Sequence, residues 1–269
     1  MARAGLCSRR DAETWIAAGR VAVNGEILKS AARNVVPGDD VRVDGAELPT
    51  AERTRLWRYH KPAGLVTSHR DEKNRSTVFE RLPRDLPRVV SVGRLDLNSE
   101  GLLLLTNDGA LARDLELPAR GWHRRYRVRV HGRVDPAALT RLKNGITVDG
   151  VRYGPIEATV DTATGPSKAN SWLMVTLTEG KNREIRKVLE RLNLSVNRLI
   201  RIGYGPFQLG PLEPGAVEEV PRHILREQLG IAAAPGEHAD TRSGWAKAHA
   251  KPNAKTKKPR RKGERRPSS

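Results

Sequence analysis

A loop with one aspartate is the part of the sequence best suited to chemistry. Asp96 lies in the polar segment GRLDLNSEG, between a strand predicted to end at Val92 and an aliphatic strand predicted to resume at Leu102. That second strand is predicted to end at a turn formed by Asn107, Asp108 and Gly109. A side chain on a loop anchored by strands at both ends is accessible and rigid, and a carboxylate placed in this way can act as a nucleophile. An aspartate in a glycine-flanked loop is also a common turn or capping residue. The spacing alone therefore leaves both roles open.

Two further acidic residues near this loop allow a second kind of chemistry. Together with Asp96, Glu100 and Asp108 could bind Mg²⁺ in a metal-dependent RNase, which needs carboxylates that converge on the ion. The strand between Glu100 and Asp108 would separate these two carboxylates unless it folds back. This alternative predicts that EDTA abolishes activity. The sequence has no cluster of Cys and His residues with metal-ligand spacing, so we otherwise expect no metal.

Strands and helices must hold these residues, and their order predicts an α+β domain over residues 55–230. Apolar segments with strand patterning read RLWRYHKP, RVVSV, LLLLT, RYRVRVHGRV and NSWLMVTLTEG. Helices are predicted after Asp135-Pro136 and within NREIRKVLERLN, where apolar residues recur at helical spacing. Runs of strands with segregated helices are typical of an α+β fold on a largely antiparallel mixed sheet with flanking helices.

The first 47 residues predict a separate small module. Ser8 can cap a helix that carries Trp15 and Ile16 on one face and ends at Gly19. Short extended stretches follow around the turn pair NG and around VRV, which predicts antiparallel strands. Residues 48–54 are predicted to be a polar linker to the larger domain.

The charge of the chain indicates a polyanionic partner. Its 269 residues carry a formal net charge of +18, which favours nucleic acid over an acidic membrane surface. The segment 231–269 holds eleven lysines and arginines without periodic apolar positions, and we expect a disordered basic tail. Cys7 is the single cysteine, and no apolar stretch is long enough for a signal peptide or a membrane span. We therefore expect a cytoplasmic protein that is not bound to a membrane.

The segment ARAGLCSRRDAETWIAAGRVAVNGEILKSAARNVVPGDDVRVDG resembles the S4 RNA-binding domain over nearly its whole length. The resemblance implies that the helix carrying SRR and the strand of GRVAVNG dock on folded RNA, and it assigns RNA contacts to Arg9, Arg10 and Arg20. Most of the first helix of that family is missing, so we expect either a natural start upstream of Met1 or a weakened module. From spacing alone, the same arginines could equally form a solvated face.

Five segments of the larger domain carry a second resemblance. In chain order they read YHKPAGLVTS, SVGRLDLNSEGLLLLTNDG, RRYRVRVHG, LTEGKNREIRKV and RLIRIGYGPFQLGPLEPG. They are similar to the rRNA pseudouridine synthases that modify small-subunit or large-subunit RNA at single sites. With the N-terminal module, the resemblance covers about residues 1–225, and the order of modules most resembles the large-subunit type.

This resemblance implies a set of site residues. It assigns Asp96 as the nucleophile, Arg186 as the guanidinium that pairs with it, and Tyr126 as the residue that packs on uracil and can shuttle a proton. The strand pattern also places Tyr126 on one face with Val128 and Val130. Arg94, Lys181 and Arg183 are expected to contact RNA, with solvated surface charge as the alternative for Lys181 and Arg183. The motif with Lys61 and Pro62 is expected to be architectural, without a chemical role.

The implied reaction is the isomerisation of one uridine to pseudouridine in structured rRNA, with no cofactor. The carboxylate could attack ribose C1′ or uracil C6, or promote loss of a ribose proton; the sequence leaves these routes open. The expected partner is a loop of ribosomal RNA with an everted uridine, free or in a pre-ribosomal particle, bound by a monomer. A small-subunit substrate is an alternative. A non-catalytic S4-type RNA-binding protein would explain the charge but not the set of Asp96, Tyr126 and Arg186.

Overall fold

The computed structural model describes residues 1–161 and 170–230, in which a small N-terminal module precedes a larger α+β domain. The predicted basic tail, residues 231–269, lies outside the described residues. Within the described ranges, every helix is too short or too polar to cross a bilayer.

One helix and four short strands form the N-terminal module: α1 (Arg9–Ala17), β1 (Val21–Val23), β2 (Glu26–Ile27), β3 (Val41–Val43) and β4 (Ala46–Glu47). Ser8 caps α1, as predicted, because its hydroxyl accepts from the Asp11 amide while the Asp11 carboxylate accepts from the Ser8 amide. The strands lie in the order β2-β1-β3-β4. Val21 and Val23 are buried in the small core of this module, against which Trp15 and Ile16 pack.

The larger domain contains the remaining strands: β5 (Leu56–Lys61), β6 (Val90–Val92), β7 (Ser99–Thr106), β8 (Arg124–His131), β9 (Ile146–Val148), β10 (Val151–Tyr153), β11 (Ile156–Val160), β12 (Asn170–Leu177), β13 (Ser195–Tyr204), β14 (Phe207–Gln208) and β15 (Val217–Glu219). Nine of them form one sheet in the order β11-β12-β8-β13-β7-β5-β15, with β14 paired to β13 and β6 paired to β7. Strand β7 pairs in parallel with β13, and the other pairs are antiparallel. The expected α+β fold on a largely antiparallel mixed sheet is confirmed.

The central strand β7 explains the run of four leucines at 102–105. Leu103 and Leu105 face one hydrophobic core, whereas Leu102 and Leu104 face a second core on the other side of the sheet. A strand with both faces buried reads as a continuous apolar run because neither set of side chains meets water.

In the part of the chain that the structure describes, four helices flank this sheet: α2 (Gly109–Glu116), α3 (Pro136–Arg141), α4 (Glu184–Arg191) and α5 (Arg222–Leu229). Apolar residues of α3 and α4 join the first core, and those of α2 and α5 join the second. The segment around Asp108, predicted to be only a turn, is the start of α2. The Asp108 carboxylate accepts hydrogen bonds from the amides of Ala110 and Leu111 and so caps this helix.

Strand β7 begins three residues earlier than the predicted position, Leu102. Ser99, Glu100 and Gly101 pair with Leu199 to Arg201 of β13. This pairing brings together segments that are a hundred residues apart, so local patterning could not reveal it. The loop that carries Asp96 is consequently shorter and better anchored than the sequence suggested.

Candidate active site

A cleft of about 1780 Å³ opens beside the loop between β6 and β7. Asp96, Tyr126 and Arg186, which come from three distant segments, all line it. The start of α1 in the N-terminal module contributes to the same cleft, so the two parts of the protein share this surface. The cleft therefore brings together the three residues to which the sequence assigned chemistry.

Several contacts hold the main chain of the Asp96 loop. The Ser99 amide donates to the Asp96 carbonyl at 3.0 Å, which closes a tight turn directly before β7. The Gly64 amide donates to the Leu97 carbonyl at 2.8 Å, and the Thr67 hydroxyl donates to the Leu95 carbonyl at 2.9 Å. A further contact is the ammonium group of Lys61. Because its main chain is tied down on both sides, Asp96 presents its partly exposed carboxylate from a fixed position.

Lys61 ends β5, and its side chain is fully buried beneath the loop. Its ammonium group lies 3.1 Å from the Asp96 carbonyl, 3.3 Å from the Leu97 carbonyl and 2.8 Å from the Ser99 carbonyl. Burial lowers the pKa of Lys61 to about 8, although the negative charge of Asp96 opposes this shift. Lys61 is thus a positioning residue for Asp96. From the sequence, its motif was expected only to be architectural.

Arg186 approaches the same loop from α4. Its guanidinium donates to the Asn98 carbonyl at 3.2 Å and to the Val196 carbonyl at 3.1 Å, which joins the loop to β13. Burial lowers the pKa of Arg186, and the neighbouring Arg183 adds to this, whereas the charge of Asp96 acts in the opposite direction. Among the described residues, no ion pair within 4.0 Å joins Arg186 to Asp96. The guanidinium therefore holds the main chain of the loop, and its charge interacts with the Asp96 carboxylate without a direct ion pair.

Tyr126 lies on β8, with Val128 and Val130 on the same buried face, as the strand pattern predicted. Its side chain is only 8% exposed, yet it reaches the cleft. Within the described part of the chain, the phenol hydroxyl has no hydrogen-bond partner. An aromatic ring with a free hydroxyl at the floor of a cleft can pack on a planar base and exchange a proton.

Most of the predicted RNA-binding residues surround this cleft. Arg9, Arg10, Arg94, Lys181 and Arg183 line it. Lys181 also donates to the Arg152 carbonyl at 2.7 Å and pairs with Glu179 at 2.6 Å, so part of its role is structural. Arg20 is not among the lining residues: its guanidinium binds Asp44 at 2.9 Å and covers the Trp15 ring. The structure thus gathers five of these six cations and holds Arg20 elsewhere on the module.

The first residue of α4 carries a carboxyl group that the sequence did not single out. Glu184 is only 3% exposed, and it accepts a hydrogen bond from the Lys181 amide at 2.9 Å. Burial, with a smaller contribution from Glu179, raises the pKa of Glu184 to about 7. This carboxyl group stabilises the turn that carries Lys181 and Arg183, at the start of the helix that carries Arg186. No feature of its sequence position marks it as buried.

The acidic residues considered for a metal site are engaged separately. Glu100 forms a two-point ion pair with Arg198 at 2.8 Å, and Asp108 caps α2 while accepting from the Thr54 hydroxyl at 2.7 Å. They lie at opposite ends of β7. Within residues 1–161 and 170–230, no group of three or more His, Cys, Asp or Glu residues could hold a metal ion. The geometry gives the magnesium alternative no site among those residues.

Two family models match the chain. The model for RNA pseudouridylate synthase matches residues 55–191, and the model for the S4 domain matches residues 1–41. The first range contains Asp96, Tyr126 and Arg186.

Individual relatives agree with these matches. An uncharacterized RNA pseudouridine synthase of Rickettsia felis is 48% identical over 227 residues, which cover 84% of this chain and 97% of the relative. Ribosomal large subunit pseudouridine synthase B of Haemophilus influenzae is 43% identical over 247 residues, which cover 87% of this chain and 67% of that protein. A crystal structure of pseudouridylate synthase superposes with a TM-score of 0.58 at 25% identity, covering 82% of this chain and 94% of that one.

Proposed function

Because the chain belongs to the RNA pseudouridylate synthase family, we propose that it isomerises one uridine of ribosomal RNA, in the large subunit, to pseudouridine. One observation carries the chemical part of this proposal: Asp96, Tyr126 and Arg186 line a single cleft. The choice of large-subunit rRNA rests on relatives named ribosomal large subunit pseudouridine synthase B.

The reaction breaks the bond between ribose C1′ and uracil N1, turns the base and joins C1′ to C5. The proton on C5 is lost and N1 gains one, so the product is an isomer and no oxidant, reductant or water is consumed. In our proposal the Asp96 carboxylate is the nucleophile, attacking C1′ or C6, or the group that promotes loss of a ribose proton. Each route needs an ionised carboxylate in a partly desolvated site, where the opposite charges of Asp96 and Arg186 attract each other.

Tyr126 provides the floor for the base in this scheme. Its ring would pack on uracil while the base turns, and its free hydroxyl is placed to accept or return a proton. Since a stacked uridine cannot reach the floor of the cleft, the nucleotide must be everted, at a cost of a few kcal/mol. The cations around the cleft, on both the N-terminal module and the larger domain, would hold the flanking phosphates during this step.

We extend the proposal to the setting of the reaction. The substrate is a loop of rRNA, in free RNA or a pre-ribosomal particle, and the enzyme acts on it as a cytoplasmic monomer. The N-terminal module would select the RNA fold, because Arg9 and Arg10 lie at the rim of the cleft that holds Asp96.

Deletion of the gene in the organism that carries it tests this function. Pseudouridines are mapped across rRNA as carbodiimide-dependent stops of reverse transcription, and the deletion strain is complemented with wild type or with Asp96→Asn. We expect one stop in large-subunit rRNA to vanish and to return only with wild type. A stop lost from small-subunit rRNA instead would show that small-subunit rRNA is the substrate. An unchanged pseudouridine map would indicate that the protein binds RNA without modifying it.

A further inference from the structure

An aromatic pair on the wall of the cleft takes no part in the reaction described above. His69 and Phe79 stack with their ring centroids 3.5 Å apart and an interplanar angle of 13°. Both residues line the cleft. Phe79 packs against the hydrophobic core, whereas His69 is exposed. Phe79 therefore covers one face of the imidazole ring while the residue remains open to the cleft.

The loop that carries His69 is held firmly. The Val66 amide donates to the Ser76 carbonyl at 3.0 Å, and the Val78 amide donates to the Val66 carbonyl at 2.9 Å, so the two ends of the loop are joined. At its tip, the Asp71 carboxylate accepts from the Arg75 amide at 2.9 Å and pairs with the Arg75 guanidinium at 2.6 Å. A ring on such a loop can receive a ligand with little loss of conformational entropy.

This loop is tied directly to the segment that carries Asp96. The Thr67 hydroxyl binds the Leu95 carbonyl at 2.9 Å, and Leu95 immediately precedes Asp96. His69 is two residues beyond Thr67, so their Cα atoms are at most about 7 Å apart. His69 therefore lies beside the segment that would receive the uridine at Asp96, in the same cleft.

The charges around His69 suit the same ligand. Arg70 and Arg88 also line the cleft, and the Arg70 side chain is 91% exposed while contacting Asp11 of α1 at 3.5 Å. Packing of the ring and the positive charge of Arg88 lower the pKa of His69, so the imidazole is neutral at physiological pH. A neutral aromatic face among guanidinium groups is the environment in which unpaired bases stack and their phosphates are neutralised.

We infer that the His69 ring is a stacking platform for a nucleobase that neighbours the everted uridine. This inference rests on the proposed function, since it takes RNA as the ligand. The target uracil itself belongs over Tyr126 at the floor, whereas His69 lies on the wall. A stacked neighbour would hold the flanking backbone in its splayed form, which contributes affinity without a requirement for one particular base.

Substitution of His69 tests the platform. His69→Ala removes the ring, His69→Phe keeps a flat ring without the nitrogens, and His131→Ala is a matched control at an exposed histidine outside the cleft lining. The substrate is an rRNA fragment that contains the mapped uridine. We expect His69→Ala to weaken fragment binding, measured by fluorescence anisotropy, about tenfold, with the single-turnover rate at saturating RNA retained. His69→Phe should restore binding, and His131→Ala should match wild type.

An abasic scan identifies the stacked base. Each nucleotide flanking the uridine is replaced in turn by an abasic ribose, and binding is compared between wild type and His69→Ala. One abasic position should weaken binding of wild type but not of His69→Ala, because both changes remove the same contact. Equal binding by His69→Ala and His131→Ala, or no gain from His69→Phe, would refute the platform. If wild type binds the fragment but isomerises no uridine, the proposed function fails, while the binding comparison still decides the role of His69.

Discussion

Replacement of Lys61 by methionine should disable the site while every residue assigned to chemistry is kept. Methionine has a similar length and no charge, so it fills the buried space beneath the Asp96 loop but cannot donate hydrogen bonds. The carbonyls of Asp96, Leu97 and Ser99 would lose their common donor. The loop would then be held only by its remaining backbone contacts and by the side chains of Thr67 and Arg186.

The expected loss of stability in Lys61→Met is the difference between the lost hydrogen bonds and the relieved cost of burying an ammonium group. Three hydrogen bonds from a charged donor contribute about 1.5–3 kcal/mol each. Against this, a pKa lowered from 10.5 to about 8 means that burial disfavours the ammonium form by roughly 3 kcal/mol. The difference predicts that Lys61→Met lowers the free energy of unfolding by roughly 2–6 kcal/mol. A shift of about 1 Å in the Asp96 carboxylate would in addition lower the chemical rate about a hundredfold.

Urea unfolding and single-turnover pseudouridine formation at saturating RNA measure the two effects. Lys143→Met serves as the control, because Lys143 is an exposed lysine outside the cleft lining. If Lys61→Met equals Lys143→Met in both the unfolding midpoint and the rate, Lys61 does not position the loop and the reasoning fails.

Three further predictions follow from single contacts. Gly101→Ala should destabilise the fold by several kcal/mol in urea unfolding, because Gly101 has a φ of +100° and an added Cβ would clash with the Arg201 main chain. An unfolding midpoint equal to that of wild type would contradict the parallel pairing of β7 with β13. Glu184 has its pKa raised to about 7 from the ordinary 4.5, so the folded state retains a proton that the unfolded state loses, and wild-type stability should fall as pH rises between these values. Glu184→Gln should lose less stability than wild type between about pH 5 and pH 8, and equal losses would show that Glu184 is not the group responsible. Arg186→Lys should lower the saturating single-turnover rate about tenfold, since the carbonyls of Asn98 and Val196 accept from two different nitrogens of the planar guanidinium, a geometry that a single ammonium does not reproduce; an unchanged rate would show that Arg186 does not contribute to the site.

Much of this fold is readable from local patterns. The capping box of α1 depends on Ser8 and Asp11, which are three residues apart, so its chemistry is visible in the sequence. The S4 and synthase resemblances are confirmed by two family models. The prediction of a turn at Asp108 is wrong, because this residue caps α2 and the chain continues as a helix. The capping aspartate and the apolar residues that follow it were an available signal for a helix.

The contacts that complete the site were harder to predict because they join distant segments. Lys61 and Ser99 are far apart in the chain, and only the pairing of β5 with β7 places one beneath the loop of the other. Likewise, Arg186 meets Asn98 because α4 packs beside β13. Burial of Glu184 results from the same packing. The roles of Asp96, Tyr126 and Arg186 in catalysis stay predictions until they are measured.

The most direct test of the account is single-turnover isomerisation by Asp96→Asn. The asparagine side chain has nearly the same shape, so the variant should bind an rRNA fragment containing the mapped uridine as tightly as wild type. Tritium at uracil C5 is released when the new glycosidic bond forms, which makes its release a measure of chemistry alone. We expect full tritium release with wild type and none with Asp96→Asn at equal RNA occupancy. Release at the wild-type rate by Asp96→Asn would show that the carboxylate of residue 96 is not the group that performs the reaction.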